Sequence, residues 1–180
     1  MTLPAPLDGI ARLATLLQAG AAAPAQIWQA FDTELKAAFG HKLFTILSYD
    51  PVRQLMVRVH SNQLEFNPIG GAKRVTDSPW SRQVLKESRM LVGSTREDIK
   101  AVFSEYEKLW GIGCESVLNI PVRAGGVTIG TLNLLDGPGH YDDADLDLAR
   151  VYAQLASDPL SAYLANASTG AYDEGSLEHV

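Results

Sequence analysis

The side chains with the most chemistry to offer are Arg58, Ser61, Trp80, Asn119, Thr131 and Asn133: a cation, two hydroxyls, an indole and two amides. Such a set recognises a ligand by charge and hydrogen bonds, and it holds no catalytic constellation. Arg58 stands three residues before Ser61, at the mouth of an irregular segment, 62–78, that contains Pro68, Gly70 and Gly71; Trp80 follows it. A guanidinium in a partly dry site binds a carboxylate or phosphate through charge-assisted, often bidentate bonds. Arg58 also alternates with Val57 and Val59, so it is either that anchor or a solvent-facing strand residue. Trp80 is either the apolar wall of a pocket or a core side chain. Asn119 and Asn133 either contact a ligand or bond each other and covering backbone, because a buried amide left unpaired costs about 1–3 kcal/mol.

Other reactive residues offer less. Cys114 is the single cysteine, so the chain can form no disulfide within itself, and a reducing compartment is expected. No helix N-terminus and no adjacent His or Lys lowers the pKa of its thiol, which leaves a small half-buried residue before a strand. His41, His60, His140 and His179 lie at no ligand spacing, so no metal site is expected. The run Asn67 to Lys73 has two glycines and a lysine but lacks the spacing of a phosphate-binding loop; it reads as a lid or turn with Lys73 solvated. No cofactor is implied.

Composition limits the partners. Hydrophobic residues are 46% and charged residues 20% of 180, which suits one globular domain with terminal extensions. A net charge of -6, with Lys73-Arg74 the longest basic cluster, argues against a nucleic-acid partner. The Ala-rich run from Leu13 to Ala23 has no basic segment before it and reads as a mature helix, not a signal peptide. No apolar run is long enough to span a bilayer, so a cytoplasmic protein without membrane contact is expected.

Periodicity supplies the elements that must position these residues. Asp8 caps a helix from Gly9 to Leu17, and a hinge follows over Gly20 to Pro24. Ile27, Trp28, Phe31, Leu35 and Phe39 then recur at helical spacing up to Gly40. Strands over 42–49 and 54–61 form a hairpin. Ser78-Pro79 starts a helix that runs to Ser88, and Met90 to Gly93 is a short strand. Ser94 to Glu97 has capping-box spacing and opens one amphipathic helix through Trp110. A second hairpin joins 115–123 to 127–135. Asp142 caps a helix over 143–157 that Asp158-Pro159 kinks or ends. The expected units are a helix and hinge over 1–25, a core over 26–165 and a flexible tail over 166–180.

The second hairpin decides where the amides point. A two-residue turn at Gly125-Gly126 would put Asn119 and Asn133 on opposite faces of the sheet. A three-residue loop, with Gly126 at positive φ as a bulge and Arg123 facing Val127, sorts the residues better. One face then carries Leu118, Ile120, Val122, Gly130, Leu132 and Leu134. The other carries Val117, Asn119, Pro121, Ile129, Thr131, Asn133 and Leu135.

This order of elements, with the strands Ser116-Val117-Leu118-Asn119-Ile120-Pro121-Val122 and Gly130-Thr131-Leu132-Asn133-Leu134-Leu135, resembles a GAF domain over roughly Ile27 to Ser157. The resemblance implies an α+β fold with a central antiparallel sheet of five to six strands, ordered 2-1-5-4-3 by the strands above, and helices on both faces. It further implies a small-molecule pocket on one face, terminal helices on the other that often form a homodimer, and a sensor or regulatory role without catalysis. Arg58, Ser61, Trp80, Asn119, Thr131 and Asn133 are then the expected ligand contacts, and the ligand is anionic or polar. Two alternatives remain: an enzyme similar to free methionine-R-sulfoxide reductase, disfavoured by the single cysteine, and a structural dimerisation module. The Asn-Lys-Phe-Asp-Glu signature associated with cyclic-nucleotide-binding members is absent, and Cys114 does not resemble a bilin-attachment cysteine.

Overall fold

The computed structural model describes residues 5–167 and 178–179. Helices α1 (Ala5–Ala19) and α2 (Pro24–Phe39) are followed by strands β1 (Leu43–Asp50), β2 (Leu55–Ser61) and β3 (Ala72–Arg74). A π-helix (Ser81–Lys86), β4 (Leu91–Gly93), α3 (Arg96–Val102) and α4 (Tyr106–Gly111) come next. β5 (Ser116–Ala124), β6 (Val127–Asp136), α5 (Leu146–Ala167) and β7 (Glu178–His179) complete the order. One sheet runs β4-β5-β6-β1-β2-β3-β7, antiparallel except where β7 pairs with β3. The expected order of five strands is present, extended at one edge by β3 and β7. The expected tail over 166–180 falls mostly on 168–177 and 180, outside the described residues.

The sheet has one dry face. Leu118, Ile120, Val122, Leu132 and Leu134 pack with Phe44 and Ile46 beneath α1, α2 and α5, which contribute Leu13, Phe31, Leu35, Tyr152 and Leu160. Burying each such aliphatic chain is worth about 1.5–3 kcal/mol, so this layer is the main source of stability. Asn119 lies directly opposite Asn133 on the other face, which carries the π-helix, α3 and α4. The parity expected from the sequence therefore holds, but its cause is different. Gly125 (φ 57) and Gly126 (φ 84) form a two-residue turn that sets Ala124 against Val127 and Arg123 against Thr128. The extra residue enters later, as a bulge at Ile129, so Val122 meets Gly130. Ile129 consequently joins the helix-side core instead of the amide face.

A second bulge, at Val59 in β2, has a similar effect: Leu47 pairs with Arg58, but Ile46 pairs with His60. Arg58 keeps to the amide face, and His60 turns under α2. There Asp32 accepts a hydrogen bond of 2.8 Å from His41 Nε2 on one oxygen and another of 2.8 Å from His60 Nε2 on the other. All three side chains are buried. Burial pushes the Asp32 carboxyl up, but the two imidazole bonds outweigh it and lower the pKa from 3.8 to about 2.

Several boundaries differ from those expected. α1 begins before Asp8, which lies in its first turn instead of capping it. The helix after Ser78 is a π-helix, with Glu87 N–H donating to Arg82 O. Thr95, not Ser94, caps α3, with Asp98 as its reciprocal partner. The single amphipathic helix expected through Trp110 breaks at 103–105. α5 is capped by Asp145, which accepts from the N–H groups of Asp147 and Leu148, while Asp142 accepts from Ser94 Oγ. α5 also runs through Pro159 to Ala167. Burial of Leu160 beyond the proline holds that last stretch against the core despite the missing N–H.

Two expectations follow. A side chain at Gly130 would collide with the Leu47 carbonyl and meet Leu160 Cδ1 at 2.9 Å, so Gly130→Ala should lower the urea midpoint by the equivalent of about 1–3 kcal/mol. Asp32 has a depressed pKa, so its contribution is full above its unfolded value and lost as pH falls through the folded one. Between about pH 5 and pH 2 the wild type should lose ~2 kcal/mol more than Asp32→Asn, read by urea unfolding at stepped pH.

Candidate ligand-binding site

The amide face does not close completely. Between the sheet and the elements that cover it lies a cavity of about 170 Å3. Its floor comes from β1 (Leu43, Thr45, Leu47), β2 (Met56, Arg58), Asn119 of β5 and Asn133 and Leu135 of β6. Its walls are Trp80, Leu109 of α4 and the 102–105 junction between α3 and α4. The lining is mostly apolar, with polar groups at the floor and at one end.

The floor polar groups form one directed chain. Trp80 Nε1–H donates to Asn119 Oδ1 at 3.0 Å, and Asn119 Nδ2 donates to Asn133 Oδ1 at 2.8 Å. Asn133 Nδ2 then points to Thr45, 3.4 Å from its carbonyl oxygen and 3.3 Å from Oγ1. An indole nitrogen can only donate and a carbonyl can only accept, so both amide orientations are determined from the two ends. The two asparagines are therefore partners of each other and also part of the cavity lining.

The polar end opens into a vestibule of about 460 Å3 that shares Arg58, Asn67, Lys73, Ser104 and Glu105 with the cavity and adds Lys108. Among the described residues that line it, Arg58, Lys73 and Lys108 are cations and Glu105 is a carboxylate, on a chain whose net charge is -6. Arg58 is buried, and its Nη1 donates to Pro68 O at 3.0 Å. Gly71 makes room for it, since a Cβ there would come within 2.8 Å of that nitrogen. Lys73 Nζ lies 3.2 Å from Glu105 Oε1. Burial pushes the Glu105 carboxyl up, but Lys73 and the local backbone outweigh it, and the pKa is lowered.

Of the six residues singled out by sequence, the structure brings Arg58, Trp80, Asn119 and Asn133 to the cavity. Ser61 and Thr131 lie on the same sheet face but outside the lining; Ser61 Oγ accepts from Gln63 N–H at 3.1 Å. Arg58 is not the solvent-facing strand residue that its alternation also allowed. Lys73, read as solvated, is buried in an ion pair, because β3 draws the 62–78 segment onto the sheet edge. Glu105 carried no sequence signal: it sits at a helix break that has neither glycine nor proline. Cys114 is fully buried, and desolvation, with Asp136 nearby, pushes its thiol up to about 11.

The chain belongs to the GAF domain family, whose model matches residues 26–160. Among solved structures it is similar to the GAF domain of a phosphoenolpyruvate-protein phosphotransferase from Acinetobacter, at 14% identity and a TM-score of 0.69, covering 92% of this chain and 98% of that one. The GAF domain of a two-component sensor histidine kinase from Bacillus halodurans is 21% identical, with a TM-score of 0.58 and coverage of 79% and 93%. A phycocyanobilin-bound GAF domain from a cyanobacterial phytochrome is 16% identical, with a TM-score of 0.60 and coverage of 92% and 96%. No curated protein sequence matches the chain. Among the described residues no helix is long and apolar enough to cross a membrane, and no group of three or more His, Cys, Asp or Glu could hold a metal ion.

The amide chain makes its own prediction. Trp80→Phe keeps an aromatic ring but removes the N–H that donates to Asn119 Oδ1. It should cost about 1–3 kcal/mol in chemical denaturation, and most of that loss should vanish when Asn119→Leu is already present. Equal losses in both backgrounds would contradict the directed chain.

Proposed function

We propose that this chain is a sensor or regulatory GAF domain that binds a small anionic or polar molecule and performs no catalysis. Residues 26–165 form the binding unit, and 1–25 form the preceding helix and hinge. The supporting observation is an apolar cavity floored by an orientation-locked amide chain and open at one end to a vestibule that Arg58, Lys73 and Lys108 line, on a chain that is otherwise acidic. Arg58 supplies the counter-charge, and Asn119 and Asn133 offer N–H donors. Ser61 and Thr131 flank the lining residues Thr45 and Leu47 on the same face. Binding is reported through a homodimer of the terminal helices or through a partner chain. The exposed Leu7 on α1 and Leu146 and Val151 on α5 suit such a contact.

The buried, protonated thiol of Cys114 supports the non-catalytic reading, because a thiol nucleophile acts as the thiolate and must be reached. With free methionine sulfoxide and a thiol reductant, turnover should stay at background, and Cys114→Ser should leave ligand affinity unchanged. The decisive pair is Arg58→Ala and Asn133→Ala against wild type by calorimetry, with a ligand found by thermal-shift screening. Loss of a charge-assisted bond of about 1.5–3 kcal/mol predicts weakening of roughly 10- to 150-fold for Arg58→Ala. Unchanged affinity would remove Arg58 from the site.

A further inference from the structure

On its inner side β3 bonds β2: Val75 N–H donates to Gln54 O at 2.9 Å, and Arg58 N–H donates to Gly71 O at 2.9 Å. Met56 stands against Lys73 between those two bonds. Residues 71, 73 and 75 therefore turn their main-chain groups toward β2, and alternation turns those of Ala72 and Arg74 outward. The sheet continues on that side with β7, in parallel, with Lys73 against Glu178 and Arg74 against His179. This register sets the main chain of Glu178 between Ala72 O and Arg74 N–H. From this arrangement we infer that the outer edge of β3 is a strand-docking surface. β7 occupies it in the resting chain, and an extended segment of a partner protein takes it when β7 leaves.

Three features make β7 a replaceable occupant. It is two residues long, Glu178–His179. It runs parallel to its neighbour, the less stable arrangement per residue. It also follows α5, beyond the 26–160 stretch that matches the family model, so it is an addition to the family's sheet. A bare strand edge presents main-chain donors and acceptors in a row and pairs readily with another chain. Main-chain bonds supply the affinity when an extended peptide adds to such an edge, so the partner is defined by its extended backbone. β7 closes the edge within one chain and reserves it for a strand able to compete. The surface needs no ligand in the cavity, yet it adjoins it: Lys73 of β3 lines the cavity and pairs with Glu105 of the lid. The docking edge and the cavity wall are two sides of one three-residue strand.

The experiment uses the full chain, with the Arg74 amide as reporter and the Val75 amide, bonded inward to Gln54 O, as control. In Glu178→Pro the N–H of residue 178 is gone, and hydrogen exchange at Arg74 should be at least about tenfold faster than in wild type. Val75 should exchange alike in both. Docking is read by nuclear magnetic resonance titration with the synthetic peptide Glu-Gly-Ser-Leu-Glu-His-Val, the sequence of residues 174–180, standing in for a partner's strand. The peptide should bind Glu178→Pro and slow Arg74 exchange again. It should bind wild type at least about tenfold more weakly, because β7 leaves only a fraction of the edges open. The same peptide with proline in place of its second glutamate should bind neither. Equally fast Arg74 exchange in wild type and variant would remove β7 from the edge. Faster exchange of Val75 together with Arg74 would show that the edge melts with β7, which overturns a reserved surface. Equal peptide affinity for both chains, or none for the variant, overturns the docking role. Arg74 protection that fades on dilution would put the tail of a second copy there and overturn the occupancy within one chain.

Discussion

Asn119 faces Asn133 because β6 carries one residue more than β5 between the Gly125–Gly126 turn and that pair. Without the bulge at Ile129, the same turn would set Asn119 against Leu132 and scatter amides and leucines over both faces. One backbone irregularity thus separates the sheet into an aliphatic face and an amide face. The aliphatic face can be stabilised only by covering it, which α1, α2 and α5 do. The amide face needs hydrogen-bond partners for its buried groups, and it finds them in the chain from Trp80 to Thr45.

The bulge at Val59 does comparable work on the other hairpin, and its result is a division of charge. Asp32, buried between two imidazoles beneath α2, belongs to the helix side and acts as a fixed internal tie. Arg58, one residue before the bulge, stays on the amide side and faces the cavity. The lid is assembled from short pieces: β3, the π-helix, α3 and α4. The Lys73–Glu105 pair ties two of them together, and the three-residue break 103–105 between α3 and α4 leaves space instead of filling it. A long helix over the same stretch would have buried its stripe continuously against the sheet and left no cavity.

Much of this was legible in the sequence, and the misses share a cause. The aliphatic alternation in 116–135 was strong enough to choose the correct faces, even though it placed the extra residue at Gly126 instead of Ile129. Helical spacing located α2, and Ser78-Pro79 located the start of the π-helix, but neither carries information on π against α geometry. Arg58 remained ambiguous because a bulge at Val59 leaves no mark in a run of alternating residues. Lys73, Glu105 and the Asp32–His41–His60 cluster depend on residues 9 to 32 positions apart. Such pairings follow from tertiary packing, which local propensity and spacing do not encode.

The central claim is that the amide face is the surface where a ligand acts, and side-chain amide resonances report on it directly. Nuclear magnetic resonance of the full chain, with the Asn119 and Asn133 Nδ2 groups and the Trp80 Nε1–H assigned, should be recorded while a ligand found by thermal-shift screening is titrated. The account predicts that these three signals move together and saturate, while the ring signals of His41 and His60 on the opposite face stay in place. Saturating shifts confined to the helix face, with the asparagine amides unmoved, would contradict it.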